Sequence, residues 1–488
     1  MVAKKRFTAS LLLVAVPSGR DALLAPPPWN SLTLAAISNL PLVRIDCWLE
    51  TTYFRIFSLL GSAIQWLGVI NLPGIAAMGA DMPDDETTDA MLSGYRVLDL
   101  GQYLAGAGVT RMLAELGPEI IKVELQPIGD PARLLPWVED DRSTFFVENN
   151  RGKQSLCLDW DRPEAMKIIF ELVEWCDIIV ENFGGGVLEK RGLDYESLRR
   201  INPEIVMVSV SGFGRNSPYA DRPAYDGIIQ AYSGLMHMTG DPELPPSIVA
   251  FAIADTTAAV HAFAGLGYAL LHRERTGQGQ HVDIAMVDAM FHLNGTLSVY
   301  HKSGGEFVPK RRGRYHPLYC PIGLFDLPEG FGVLMCLDRQ WPYLTQAMGR
   351  PDLLTDPRFE TGGSRAEHQA ELIPQIQEWL LSFPDNESLL ETCLSHRIPI
   401  GPVLEPVDAI GHPHFEARDM VRIVDDPVLG EVMIPGYPFK FSAQPDLPDL
   451  IAPLLGEHNT TVLRDILGYD EKHIKQLHDE GVLHGAER

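Results

Sequence analysis

Between residues 94 and 214, short apolar runs alternate with helical segments. This alternation constrains the fold more than any other feature of the chain. GYRVLDLG (94–101) is an apolar run that stops at a glycine, as a buried strand does. AGVTRMLAELG (107–117) has helical spacing and stops at Gly117. EIIKVEL (119–125) and KQSLCLDW (153–160) read as further strands. DRPEAMKIIFELVEWC (161–176) opens with an acid, carries Pro163 in its first turn and keeps apolar residues at helical spacing. DIIVENF (177–183) is a strand, a helix follows from about Val187, and IVMVSVSGFG (205–214) is a strand again. Strands alternating with helices specify a parallel sheet covered on both faces. Ligands of such sheets bind beyond the carboxyl ends of the strands, which is where ENFGGG and SGFGR fall.

The pattern changes further along. A long helix runs from Asp255 to about Arg275, followed by a TGQGQ turn, a strand at 281–286 and a helix from Val287. KSGGEFVPKRRGRYHP, around 302–317, is basic and loop-like; residues 321–430 read as a smaller α+β segment with FGVLMCL as a strand. From 431 a loop-rich path leads to a last helix.

Residues 1–90 differ from the rest. Lys4, Lys5 and Arg6 precede LLLVAV, PPPW follows at 26–29, and residues 56–78 are uncharged and long enough to span a bilayer. Three readings stand open: a membrane anchor at 56–78, a disordered or loosely packed extension, and a segment that is not made, with translation starting at Met78 or Met82. The last fits best, because MPDDETTDAMLSGYRVLDL reads as an ordinary start. A membrane role is not expected unless 56–78 is a real anchor.

Charge and missing motifs exclude several classes. A formal net charge of −25 disfavours nucleic acid and anionic lipid as partners. Six scattered cysteines (Cys47, Cys157, Cys176, Cys320, Cys336, Cys393) form no CxxC pair, so neither a metal site nor a disulfide framework is expected, and a reducing cytoplasm fits. HExxH, GxSxG and the P-loop are absent. AGAGV (105–109) follows the first strand, but Arg111 stands where a dinucleotide fingerprint has its third glycine. Asp255 then stands out as a single acid at the head of a long apolar helix. Two roles fit a carboxylate there, a helix cap and a nucleophile.

Several stretches, taken in order, resemble one family. They are LDLGQYLAGAGVTRMLAELGPEIIKVE, GD at 129–130, NNRGKQSLCLDW, DIIVENFGGGVLEKRGLDYESLRRINPEIVMVSVSGFG, RPAYDGIIQAYSG, TGQGQHVDIAMVDAM, DPRFE, IPIGPV, GYPFKFS and PLLGEH. The resemblance is to the family III (CaiB/BaiF) CoA-transferases, which include formyl-CoA and carnitine CoA-transferases and, as a divergent branch, α-methylacyl-CoA racemase. It covers residues 94 to 483. It implies an α/β fold with a large Rossmann-like domain, a smaller α+β domain, and a homodimer of interlocked chains. The expected divisions are an extension at 1–90, a CoA-binding domain at 91–300, a small domain at 301–430 and a return to the large domain at 431–488.

The resemblance also implies chemistry. Asp255 falls at the family's catalytic aspartate. It would carry coenzyme A from a donor acyl-CoA to an acceptor carboxylic acid, with no permanently bound cofactor and no metal. The helix N-terminus is expected to keep it ionised. CoA contacts are expected from Leu158, Asn182, Phe183, Gly184, Lys190 and Arg191, with Tyr225 and Asp226 shaping the acyl pocket or positioning CoA. Leu125 replaces a phosphate-binding arginine of formyl-CoA transferase, and Arg133 is the nearby cation that could substitute. The racemase branch has a His-Asp pair where this chain has Tyr225 and Asp226, and a tyrosine of ordinary pKa, roughly 10, is a poor base at neutral pH. A non-catalytic CoA-binding protein is the remaining alternative; the presence of Asp255 weighs against it. His237 and His261 are expected to be core or surface histidines.

Overall fold

The computed structural model describes residues 90–444 and 447–485. The expectations for the N-terminal extension, including the 56–78 segment and the starts at Met78 and Met82, lie outside the described residues. Among the described residues, no helix is long and apolar enough to cross a membrane.

Six strands form one parallel sheet: β1 Arg96–Asp99, β2 Glu119–Leu125, β3 Gln154–Leu158, β4 Ile178–Glu181, β5 Val206–Ser211 and β6 Gln280–Ala285. Their order is β3-β2-β1-β4-β5-β6, with Val97 opposite both Ile120 and Ile178. The central strands are short and rich in apolar residues because both faces of the sheet are covered, while β1 and β2 also bury Asp99, Lys122 and Glu124. Successive side chains point to opposite faces, and β1 feeds two cores in this way. Val97 joins Ile120, Val180 and Val208 under helices α1 (Ala107–Ala114) and, further along, the long helix of residues 253–276. Leu98 joins Ile121, Leu156 and Ile179 under helix α2 (Pro163–Trp175), whose Ala165, Ile168, Ile169, Leu172 and Val173 make the buried stripe.

The strand expectations agree with the structure to within a few residues. One helix does not. The helix expected from about Val187 is replaced by turns and a single 3₁₀ turn at Glu189–Arg191, closed by Gly192 at φ 69°. Glycines at 184–186 and 192 leave too short a stretch to nucleate an α-helix. The helix there begins only at Tyr195, where Asp194 accepts the Ser197 N–H at 3.1 Å.

Two helices carry the residues of most interest, α3 (Asp226–Tyr232) and α4 (Ile253–Thr276). Beyond them a three-stranded antiparallel sheet, β7 Ile322–Asp326, β8 Phe331–Met335 and β9 Ile400–Pro402, has its own core. There Phe325 and Leu334 pack with Trp341, Leu344 and, from helix α5 (Gln369–Leu380), Leu372 and Ile376. The hairpin β10 Val421–Asp426 and β11 Gly430–Pro435 straddles the 430/431 boundary drawn from sequence. It packs on Phe146 and Val147, and its Asp426 pairs with buried Arg142 at 2.6 Å. The chain then returns to β3: Asn459 accepts the Cys157 N–H at 2.8 Å, Leu483 bridges Leu158, and helix α6 (Glu471–Asp479) buries Ile474 and Leu477 in the α2 core.

Candidate active site

The order β3-β2-β1-β4-β5-β6 reverses direction between β1 and β4, so a crevice opens beyond their carboxyl ends. The β1 side of this crevice is the Gly101–Gly106 loop. The β4 side is Glu181, Asn182, Phe183 and the three glycines after them. Asn182 ties the two sides together. Its Oδ1 accepts the Gln102 N–H at 2.8 Å and its Nδ2 donates to the Gln102 carbonyl at 2.9 Å. Gly106 must be a glycine for this approach, since a Cβ there would lie 2.9 Å from Asn182 Oδ1. Both polar atoms of the Asn182 side chain are therefore engaged with the loop.

Asp255 is the third residue of α4, not its N-cap. The helix starts two residues earlier, and its N-cap, Ala252, has no side chain to offer. The cap comes from another element. Asp226, first residue of α3, accepts the Ala254 N–H at 2.6 Å and the Asp255 N–H at 3.3 Å through Oδ2, while Oδ1 takes the Gln230 amide. Gln230 then holds the incoming loop by accepting the Val249 N–H at 2.9 Å. The Asp255 side chain itself makes no hydrogen bond among the described residues.

The electrostatics of Asp255 correct the sequence expectation. Burial pushes its carboxyl up, the Asp226 carboxylate pushes it further, and it titrates at about 7. Partial removal from water and a like charge outweigh the helix N-terminus that was expected to keep it ionised. Tyr225, one residue before Asp226, is 71% exposed and unpacked. Tyr103 reaches toward it from the loop after β1: burial, Tyr225 and Asp130 together raise the Tyr103 phenol.

The other expected contacts sit in three places. Phe183 is half-buried, with its N–H held by Glu181 Oε2 at 2.9 Å and its ring 5.1 Å from Trp160. The Arg191 guanidinium lies 4.1 Å from the Trp160 ring centroid and pairs with Asp161 at 2.7 Å, so Phe183, Trp160 and Arg191 form one ledge. Lys190 is exposed beside it, and Gly184 is exposed with open space where a Cβ would be. Leu158 is buried, and its carbonyl already accepts the Gln126 N–H at 3.0 Å. Arg133 is not free for a phosphate, because it chelates buried Glu124 at 2.8 and 2.6 Å and lies 3.6 Å from the Phe146 ring centroid. In the basic loop, Arg311 donates to the Asp241 and His237 carbonyls and Arg314 pairs with Asp326 at 2.9 Å. His261 bonds the Thr257 carbonyl within α4 at 2.8 Å.

Sequence reasoning missed Trp160 and Tyr103. Trp160 had a signal, an aromatic residue just past the carboxyl end of a strand. Tyr103 had none, because its significance lies in a left-handed backbone conformation, φ 56°. No cluster of metal-binding side chains occurs among the described residues. Burial raises the thiols of Cys157, Cys320 and Cys336 to about 12, which removes them as nucleophiles.

Comparison with known proteins agrees with this architecture. Residues 92–459 match the model of CoA-transferase family III. A succinyl-CoA–D-citramalate CoA-transferase of Chloroflexus aurantiacus is 35% identical over 398 residues, covering 80% of this chain and 98% of that protein. A succinyl-CoA:mesaconate CoA-transferase of Haloarcula hispanica is 38% identical over 76% of this chain and 95% of its own length. The crystal structure of a CaiB/BaiF family protein from Brucella suis superposes with a TM-score of 0.67 at 33% identity, covering 77% of this chain and 99% of the other.

Proposed function

The chain belongs to CoA-transferase family III, and on that premise we propose that Asp255 carries coenzyme A between acids through covalent intermediates. The coarse activity is CoA transfer from an acyl-CoA thioester to a carboxylic acid. In the proposed sequence the Asp255 carboxylate attacks the donor thioester carbonyl, the C–S bond breaks, and CoA thiolate leaves behind a mixed anhydride. The thiolate attacks the aspartyl carbonyl and expels the donor carboxylate, which gives an aspartyl-CoA thioester. The acceptor carboxylate attacks that thioester and expels the thiolate. The thiolate then takes the acceptor acyl group and frees Asp255. No electron transfer occurs in the sequence, so it requires no redox group.

The observation that carries this reading is the state of Asp255: a partly buried carboxyl with no hydrogen bond and no cation beside it among the described residues, raised to about 7. A carboxylate stripped of partners keeps its basicity and is a better nucleophile once ionised. The Phe183–Trp160–Arg191 ledge supports adenine stacking, with Lys190 and Arg191 near the phosphates, Gly184 giving backbone access and Leu158 close by. Asn182 would act by shaping the crevice, and Tyr225 and Asp226 would border the acyl end. The relatives' names favour succinyl-CoA as donor and a dicarboxylic acid as acceptor. A homodimer is part of the proposal. It is supported by the outward face of α4, where Val260 and Leu271 are exposed and Tyr268 is 76% exposed.

The test is intact-protein mass spectrometry after incubation with a panel of acyl-CoAs, followed by hydroxylamine trapping and peptide mapping. A hydroxamate on Asp255, absent from Asp255→Ala, supports the sequence and names the donor. No adduct with any donor, together with exchange of the α-proton of a 2-methylacyl-CoA in deuterated water, overturns it in favour of racemisation.

A further inference from the structure

Three successive backbone amides follow β1, and a different side chain takes each. The Gly101 N–H goes to Asp99 Oδ1 at 2.8 Å, the Gln102 N–H to Asn182 Oδ1 at 2.8 Å, and the Tyr103 N–H to Asp130 Oδ1 at 2.9 Å. The acceptors come from the ends of β1 and β4 and from the turn after β2, so the loop is pinned to three strands. The third bond holds Tyr103 at φ 56°, a conformation that a tyrosine rarely adopts.

Behind the acceptors lies a buried ionic cluster. Lys122 Nζ pairs with Asp130 at 2.9 Å, lies 3.8 Å from Asp99, and donates to the Gly101 carbonyl at 2.6 Å. Lys153 Nζ pairs with Asp99 at 2.9 Å and donates to the Ala107 carbonyl at 3.0 Å and to Asn150 at 2.8 Å. Thr110 donates to Asp99 at 2.8 Å. All four charged side chains are at most 1% exposed. Apolar residues of similar size stabilise a core as well as a buried ion cluster does. They cannot bind the Gly101 and Tyr103 amides, the Gly101 carbonyl and the Ala107 carbonyl at the start of α1.

We propose that Asp130, backed by Lys122, is a positioning residue for the acyl-CoA site: it holds Tyr103 in its left-handed conformation and so fixes the loop that walls the β1–β4 crevice. This rests on the reading that acyl-CoA enters that crevice. The same geometry separates the site from a dinucleotide-binding loop. Amides 101–103 are occupied from within, so they do not cradle a phosphate.

Two charge-neutral double variants differ in the Asp130 acceptor, whose Oδ1 takes the Ala132 N–H at 2.9 Å as well as the Tyr103 N–H. In Lys122→Met/Asp130→Asn the amide oxygen still accepts the Tyr103 N–H. In Lys122→Met/Asp130→Leu nothing does. The first is expected to keep KM for acyl-CoA within about 3-fold of the parent protein. The second should raise KM about 10-fold or more, with kcat reduced by less than about 3-fold, the effect of losing one orienting hydrogen bond. Equal KM values in the two variants overturn the proposal. Hydrogen exchange on the unaltered, ligand-free protein guards against variants that fail to fold. Amides 101–103 should exchange at least ~100-fold more slowly than those of the exposed 303–317 loop; exchange as fast as that loop overturns the clamp. A parent protein that neither binds nor transfers CoA sinks the functional reading and the assignment to acyl-CoA with it, and the exchange pattern separately decides whether the clamp exists.

Discussion

Asp99 and Asp255 are both aspartates drawn out of water on the same α/β scaffold, and their surroundings are opposite. Burial works against ionisation of Asp99, but Lys122 and Lys153 outweigh it and hold the carboxyl below its ordinary range. Asp255 has burial and the Asp226 carboxylate acting in the same direction, no cation beside it among the described residues, and a value of about 7. The β1 loop is a region in which charges are matched and amides occupied, as rigid structure requires. The head of α4 is a region in which the cap is supplied from outside, by Asp226, and the acid is left unmatched. The same residue type is locked in the first region and available for chemistry in the second.

That contrast can be broken by mutation. The largest effect is expected for Asp255→Asn, which should lower kcat at least ~10⁴-fold in a CoA-exchange assay while leaving the circular dichroism spectrum unchanged. Next comes Lys122→Met, which leaves buried carboxylates short of a cation. It should destabilise the fold by roughly 3–5 kcal/mol, read as a shift of the denaturant midpoint at constant slope.

The third prediction is a pH dependence. Attack needs the carboxylate, so kcat/KM for acyl-CoA should rise with pH through about 7. Asp226→Asn keeps an acceptor oxygen for the α4 amides but removes a like charge, and should move that rise toward lower pH. Stability runs the other way. The folded value of Asp255, about 7, lies above its ordinary 3.8, so the folded state binds the extra proton between the two. The resulting stabilisation is complete below the lower value and is lost as pH rises through about 7. Asp255→Asn should therefore raise Tm relative to the parent protein at pH 8, on the order of 2 °C, with the gap closing toward pH 4. No change in the gap would mean that Asp255 is not held in the unmatched environment described above.

The smallest effect is expected at the ledge. Arg191→Met removes the guanidinium from Trp160 and should raise KM for acyl-CoA about 3-fold, leaving kcat unchanged. A larger fall in kcat would place Arg191 closer to the reacting atoms than the ledge does.

Strand positions, the parallel sheet and the location of the crevice were legible in the chain. Buried strands covered on both faces are rich in β-branched apolar residues, as IVMVSVS is, although IIKVE also buries Lys122 and Glu124 in ion pairs. Asp255 and the ENF segment were singled out through their family resemblance, and the structure sets the ENF segment at the β1–β4 crevice and Asp255 in the first turn of α4. The Val187 helix was misread because Gly184, Gly185, Gly186 and Gly192 bracket a stretch too short to nucleate one. The N-cap reading of Asp255 failed because the helix start is set by a carboxylate 29 positions away, not by a neighbour.

Most of the elements and the family were therefore written in patterns a few residues long. Which charges meet is a matter of the fold. It set Arg133 on Glu124 and withdrew it from any phosphate. It placed Lys122 between Asp99 and Asp130, and it put Asp226 beside Asp255. The physical reason is range. Helix and strand preferences act over one or two turns. A carboxyl's protonation depends on every charge and every lost water within a few ångströms, whatever their distance along the chain.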